Sequence, residues 1–443
     1  MKAVGRPTMS AIRTRGFAAQ AAAKQQQPAK QDIHVSKQAN GMVVAALENQ
    51  APVSRLAVYM KAGPRNEQPG EVGICHVMRN AANFTTQGAS AFGLVKNMQQ
   101  MGANFTCATT RESMVYNLEC TRDKVEKAVD YLVDVTCKPV YFPWEISDSK
   151  PQFQLDLGLL EGNPLAELSE ALHQAAYRDG LGRSLYMPSH KIGTYTSEML
   201  ADYFLRNYTG SNMALVGVGI DHDTLSHLAA KFRFENNAKT PVSGSGYHGG
   251  EIRLDRPGAM VHAAVVTEGA GLALSVLQHA MGTGPCIKYS NNAATSRVGK
   301  AAAQATDNPV AASCVMSAYS DSGLFGFQVS CLADDADKVL RSVKTAFADA
   351  TKAGFTEQEV SAAKAQLKAR YMMFLENSSN LVEDIGFQAL TLGSVYDMED
   401  GLKMIDAVTV DDVNKAAKKF INGKPTMAAV GDISKIPYLD QLL

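Results

Sequence analysis

Short apolar runs alternate along this chain with longer stretches in which apolar side chains return every third or fourth position. Gly41–Leu47 and Ser54–Met60 read as strands. In Gly70–Phe84, Ile74, Val77, Met78, Ala81, Ala82 and Phe84 recur at helical spacing, and Gly88 stands where such a helix would end. Residues 91–103 make a second helical stretch. Phe105 to Cys120 then alternates as strands do, with Thr109–Glu112 as the tip of a hairpin. Helical periodicity returns over 122–137 and 144–178. The second of these is interrupted at Gly162-Asn163-Pro164, where asparagine and proline suit a new helix N-terminus. Thr196–Asn207 is predicted to be an amphipathic helix and Asn212–Ile220 a buried strand.

Glu235–Gly250 is rich in Gly, Ser, Asn and Pro and has no periodicity, which is the composition of a linker. Beyond it the order repeats. Thr196-Ser-Glu-Met-Leu200 leads through Phe204 and Gly210 to Met213-Ala-Leu-Val-Gly217, and Thr409-Val-Asp-Asp-Val413 leads through Phe420 and Gly423 to Met427-Ala-Ala-Val-Gly431. A helix-then-strand ending that recurs at half the chain length predicts duplication. The expectation is an α+β chain of two homologous α/β-sandwich domains, each of about 200 residues, at 31–235 and 251–443, with 236–250 between them.

Length agrees, since 443 residues exceed one ordinary core. A hydrophobic content of 46% and a charged content of 20% are those of a globular protein. The net charge of −1 gives no electrostatic case for nucleic acid. No apolar run reaches the roughly 18–20 residues that cross a bilayer, so membrane association is expected through partner subunits alone. The seven cysteines, at 75, 107, 120, 137, 286, 314 and 331, form no C-x-x-C pair and read as free thiols of a reducing compartment. Residues 1–31 carry six Lys or Arg and no acidic residue, which is the composition of a mitochondrial transit peptide. Arg15-Gly16-Phe17-Ala18 resembles a matrix-peptidase cleavage pattern. The expected transit peptide is 1–17, with an outer limit near residue 30, and its removal takes the net charge to about −5.

The chemistry centres on His76-Val77-Met78-Arg79-Asn80. This register resembles the zinc helix of the pitrilysin/insulinase (inverzincin) peptidases, whose signature H-x-x-E-H sets two imidazoles and a basic carboxylate on one helical face. Here the first histidine stands, the general base is Arg79 and the second histidine is Asn80. The family's third ligand, a glutamate about 76 residues past the second histidine, falls on Asp156. A guanidinium is protonated at any working pH and cannot act as the base. A +1 and a +2 charge 4 Å apart repel by on the order of 8 kcal/mol at an effective dielectric of 20. The expectation is no catalytic, cofactor-binding or metal-ligating residue, with His76, Arg79, Asn80 and Asp156 as a degenerate zinc site in which Arg79 pairs with Asp156 or another carboxylate.

Other constellations are weaker. His222 and His227, five apart, do not share a helical face. Gly282-Thr283-Gly284-Pro285 lacks the Lys-Ser/Thr ending of a phosphate loop, and Ser320–Phe327 reads as a turn entering a strand.

The resemblance covers about residues 35–440. Within the family it is to the non-peptidase members built into the ubiquinol–cytochrome c reductase of the respiratory chain. It is carried by His76–Ser90, Asn163-Pro164, Leu172-His173, Ala175–Arg178, Ser184-Leu185-Tyr186, Gly282–Pro285 and, most specifically, Ala318–Phe327. It implies a cofactor-free structural subunit, peripheral on the matrix side of the mitochondrial inner membrane. Such a subunit forms a heterodimer with core protein 1 and contacts the haem- and iron–sulfur-bearing subunits of a dimeric complex. The alternative is the non-catalytic α subunit of the mitochondrial processing peptidase, which binds presequences through a glycine-rich loop. Ala280–Asn292, at the corresponding place, lacks that glycine run.

Overall fold

A computed structural model describes residues 32–234, 244–284 and 294–442. The expected transit peptide, the first part of the expected linker (235–243), most of the Ala280–Asn292 loop and Cys286 lie outside the described residues.

The first sheet is drawn from β1 (Ile33–Lys37), β2 (Val43–Leu47), β3 (Val53–Met60), β4 (Asn104–Thr109), β5 (Met114–Thr121) and β6 (Met213–Val218). Its order is β1-β2-β6-β3-β5-β4, antiparallel except where β2 runs parallel to β6. Helices of this half are α1 (Ile74–Asn80), α2 (Ala91–Met101), α3 (Val125–Cys137), α4 (Pro143–Asp148), α5 (Lys150–Glu161), α6 (Pro164–Ala176), α7 (Ser197–Asn207) and α8 (His222–Ala229). The second sheet takes β7 (Glu251–Asp255), β8 (Met260–Glu268), β9 (Ala311–Ala318), β10 (Gly323–Leu332) and β11 (Thr426–Gly431), in the order β7-β11-β8-β10-β9. Its helices are α9 (Leu272–Met281), α10 (Arg297–Ala305), α11 (Ala336–Ala353), α12 (Glu357–Glu376), α13 (Ser378–Leu392), α14 (Met398–Ala407), α15 (Val410–Asn422) and α16 (Leu439–Leu442).

Strand for strand, the second order repeats β2-β6-β3-β5-β4, including one parallel pair at the same place. The repeat seen in sequence has a local cause. Thr196 caps α7 by accepting from the Met199 N–H, and Thr409 caps α15 by accepting from the Asp412 N–H. β6 and β11, which follow, are buried at every residue, as strands covered on both faces must be.

What covers those faces is not simply each half's own helices. The inward side of the first sheet packs on α1, α3 and α7. Its other side (Ala45, Leu47, Ala57, Tyr59, Ala214, Val216, Val218) is closed by Val382, Ile385, Ala389 and Leu390 of α13, a helix of the second half. Reciprocally, Leu168, Ala171, Leu172 and Ala176 of α6 lie on Ala264, Val266, Ala428 and Val430 of the second sheet. The small side chains let each helix sit close. At Gly386 a Cβ would come within 2.1 Å of the Tyr59 ring, which is itself buried.

Several boundaries differ from expectation. The first helix stops at Asn80 and tightens into a 3-10 turn over Ala81–Asn83. The hairpin tip is Thr110–Ser113, closed by Thr110 N–H donating to Ser113 O at 2.8 Å. The helix expected from residue 144 breaks at Ser149, because Pro151 in the first turn of α5 has no N–H to carry the ladder through. The described end of the linker is docked: Tyr247 packs against Tyr177 and its hydroxyl donates to Lys424 O at 2.7 Å.

Candidate functional site

α1 begins at Gly73, whose φ of 92° favours glycine, and a Cβ there would meet Tyr195 Oη at 2.6 Å and Met187 at 2.7 Å. The helix N-terminus is satisfied by Glu67, whose carboxylate accepts from the N–H groups of Gly73 and Cys75, each at 3.0 Å. Burial pushes the Glu67 carboxyl up to about 7 against those bonds. Held this way, α1 aims His76, Arg79 and Asn80 at one side, the i, i+3, i+4 face. α5 runs opposite and presents Asp156.

The four sequence-predicted positions meet on that carboxylate. Asp156 Oδ2 lies 2.9 Å from His76 Nε2, 3.2 Å from Arg79 Nη2 and 3.4 Å from Asn80 Nδ2. Its other oxygen accepts from Gln152 Nε2, one helical turn earlier, at 2.9 Å. Burial alone would raise the Asp156 carboxyl, but the hydrogen bonds from His76, Asn80 and Gln152 outweigh it and hold it below its ordinary range.

The tautomer of His76 follows from its second contact. The Met187 backbone N–H donates to Nδ1 at 3.3 Å, so Nδ1 is an acceptor and the ring hydrogen is on Nε2, where it donates to Asp156. His76 is fully buried between Phe153 and Tyr186, and that burial lowers its pKa, keeping it neutral. Arg79 lies over the Tyr186 ring, 5.5 Å from its centre.

The family's zinc ion would need three ligands, an open position and a base. This set offers one imidazole whose cleft-facing nitrogen carries hydrogen, one carboxylate already accepting four donors, an amide and a permanent cation. It does not fit. Among the described residues no three His, Cys, Asp or Glu side chains gather as a metal set.

Gln152, Tyr186 and the Met187 N–H are parts of the site that sequence reasoning missed. Gln152 had a signal, four residues before Asp156 on one helix face. The other two come from a separate segment: Tyr186 lies in the Ser184–Tyr186 stretch that carries the resemblance, but nothing in that stretch ties either residue to this site. His222 and His227 sit on α8, away from this cluster, with His222 Nε2 2.8 Å from Ser36 Oγ. Ser320–Ser322 do form a turn, entering β10 at Gly323. The six described cysteines are free thiols, and among the described residues no helix is long and apolar enough to cross a membrane.

Comparison with known proteins follows the same lines. The model of the insulinase family, peptidase family M16, matches residues 43–189, and that of the peptidase M16 inactive domain matches 194–367. The boundary between them falls before β6, which completes the first sheet. The chain is 38% identical over 424 residues to the human mitochondrial cytochrome b-c1 complex subunit 2, covering 94% of this chain and 93% of that protein. It is 38% identical to the rat subunit 2 over 93% of this chain and 92% of that one. To the mitochondrial-processing peptidase subunit alpha of Solanum tuberosum it is 28% identical, over 94% of this chain and 84% of that protein.

Proposed function

The chain belongs to the insulinase family, peptidase family M16, and on that premise we propose that it is a non-catalytic core subunit of the mitochondrial cytochrome b-c1 complex, the counterpart of subunit 2. The observation that carries the reading is the extent of the relationship: 38% identity across nearly the whole of both chains, against 28% for a processing-peptidase α subunit. The role is structural, in the assembly and stability of a complex that passes electrons from ubiquinol to cytochrome c. The site chemistry supports it, because Asp156, closed off by His76, Arg79, Asn80 and Gln152, acts as a tie between α1 and α5 and has no part in hydrolysis.

The finer elements of the proposal rest on the family resemblance. The subunit pairs with core protein 1 as a heterodimer, meets the haem- and iron–sulfur-bearing subunits, and lies on the matrix side of a dimeric complex without spanning the membrane itself. The chain divides near 236–250, and residues 1–17 leave on import.

Blue-native electrophoresis of mitochondrial extracts, read by haem absorbance, tests the function. Co-migration with b- and c-type haem is expected. Presequence cleavage in a haem-free fraction containing this chain and one partner would favour the processing-peptidase α reading. Stoichiometric zinc retained by the purified chain would overturn the structural role of the site.

A further inference from the structure

The segment most specific to the resemblance, Ala318–Phe327, contains none of the four degenerate-site positions, and its turn has a use of its own. Each residue of that turn is hydrogen-bonded to residues of the first half. Tyr319 Oη donates to His173 Nε2 at 2.7 Å, since His173 Nδ1 gives its hydrogen to Ser169 O. Ser320 N–H donates to Glu112 Oε2 at 3.0 Å, Asp321 Oδ1 accepts from Arg65 Nη1 at 2.8 Å, and Ser322 Oγ meets Tyr177 Oη at 2.9 Å.

Two of these partners, His173 and Tyr177, lie on or just after α6, which is packed on the second sheet. They travel with that sheet. The links that cross between the two sheets' layers are those of Arg65 and Glu112 and, beside them on the β4–β5 turn, that of Arg111, which pairs with Glu170 of α6 at 2.7 Å. Arg65 is 7% exposed; its guanidinium gives Nη1 to Glu112 Oε1 at 2.5 Å as well as binding Asp321 through both nitrogens. Glu112 sits on the β4–β5 turn and Asp321 on the β9–β10 turn, so corresponding hairpin tips of the two halves share one cation.

The crossings of the exchanged helices are short. α5 passes to α6 through Gly162 and Asn163, and α12 passes to α13 through Asn377. In both, the asparagine side chain caps the second helix: Asn163 Oδ1 accepts from Ala166 N–H at 3.3 Å and Asn377 Oδ1 from Ser379 N–H at 3.0 Å.

We propose that Arg65 is a catch that fixes the angle between the two sheet layers, with Gly162–Asn163 and Asn377 as the joints about which they turn once it is released. With Arg65 in place, two carboxylates on opposite sides of the seam are held together. Without it they face each other with no cation between them, and like charges at that range drive the tips apart. The apolar contacts of α6 and α13 do not involve Arg65, so each layer stays folded.

Amide hydrogen exchange by mass spectrometry on the full chain tests this, comparing wild type with Arg65→Met and with Arg65→Met/Glu112→Gln/Asp321→Asn. Arg65→Met should raise exchange at 110–113 and 319–322 on the order of tenfold or more, leaving β6 and β11 at the wild-type rate. The triple variant, with the repulsion removed but the catch still absent, should recover only part of the protection. Unchanged exchange at both turns in Arg65→Met overturns the proposal, as does a rise shared equally by β6 and β11, or a triple variant as protected as wild type. Should Arg65→Met not fold, Asp321→Asn supplies the test: exchange rises at 319–322 but not at 110–113, where Arg65 still holds Glu112, and equal rises at both refute the catch.

Discussion

Replacing Arg79 by Met removes the cation from Asp156 while keeping most of the side chain's length. At their separation of 3.2 Å, unit charges attract by roughly 5 kcal/mol at an effective dielectric of 20. Little of this survives as net stability, because the guanidinium is 23% and the carboxylate 14% exposed, so water screens the pair and desolvation offsets it. A coupling of about 1–2.5 kcal/mol is expected. The single variant also loses the ring contact with Tyr186, worth about 0.5–1 kcal/mol. It further loses a favourable charge in the last turn of α1, worth about 0.3–1 kcal/mol. Those contributions cancel in a double-mutant cycle of Arg79→Met with Asp156→Asn. The assay is urea unfolding at pH 7.5, followed by circular dichroism and by the fluorescence of Trp144, the only tryptophan in the chain. Stability that changes additively, with coupling below about 0.5 kcal/mol, would refute the reasoning: His76, Asn80 and Gln152 would then suffice for the carboxylate, and Arg79 would not be its counter-charge.

Further expectations concern the scaffold. Gly386→Ala gains about 1 kcal/mol of helix propensity but drives a methyl into the buried Tyr59 ring; overpacking of about 1–3 kcal/mol should leave a net loss in urea unfolding. A variant as stable as wild type would mean that α13 is loosely seated. Burial, with Arg111 nearby, pushes His173 down to about 3 from its ordinary 6.5, so the folded chain binds fewer protons than the unfolded one between those values. Its contribution is complete above pH 6.5 and is lost on acidification toward 3, by up to about 1.4 kcal/mol per pH unit. His173→Gln should flatten the acid limb between pH 6 and 4 relative to wild type. Thr409→Ala removes the α15 cap and should cost about 1 kcal/mol in the same titration.

The convergence of His76, Arg79, Asn80 and Asp156 was legible because three of them obey helical spacing and the fourth follows from the family's ligand interval. Tyr186 and Met187 were not, since nothing in a one-dimensional pattern says which distant loop will pass over a helix. The duplication was legible from the repeated threonine cap and all-apolar strand. The exchange of α6 and α13 was invisible: amphipathicity tells that a face is buried, never against which sheet. β1 escaped notice because an edge strand with exposed residues, Ile33-His-Val-Ser-Lys37, carries little apolar signal. The end of α1 was misplaced because apolar spacing continues through Ala81 and Ala82, while the backbone there has already tightened to 3-10 geometry.

The helix that α13 contributes to the first sheet sets a schedule for biosynthesis. A chain emerging from a ribosome or a translocation pore, N-terminus first, completes β6 long before Ser378–Leu392 appears. In the interval Ala57, Tyr59, Ala214 and Val216 face water on an uncovered sheet. That surface invites chaperone binding or aggregation, and truncations ahead of residue 378 should be far stickier than their composition suggests.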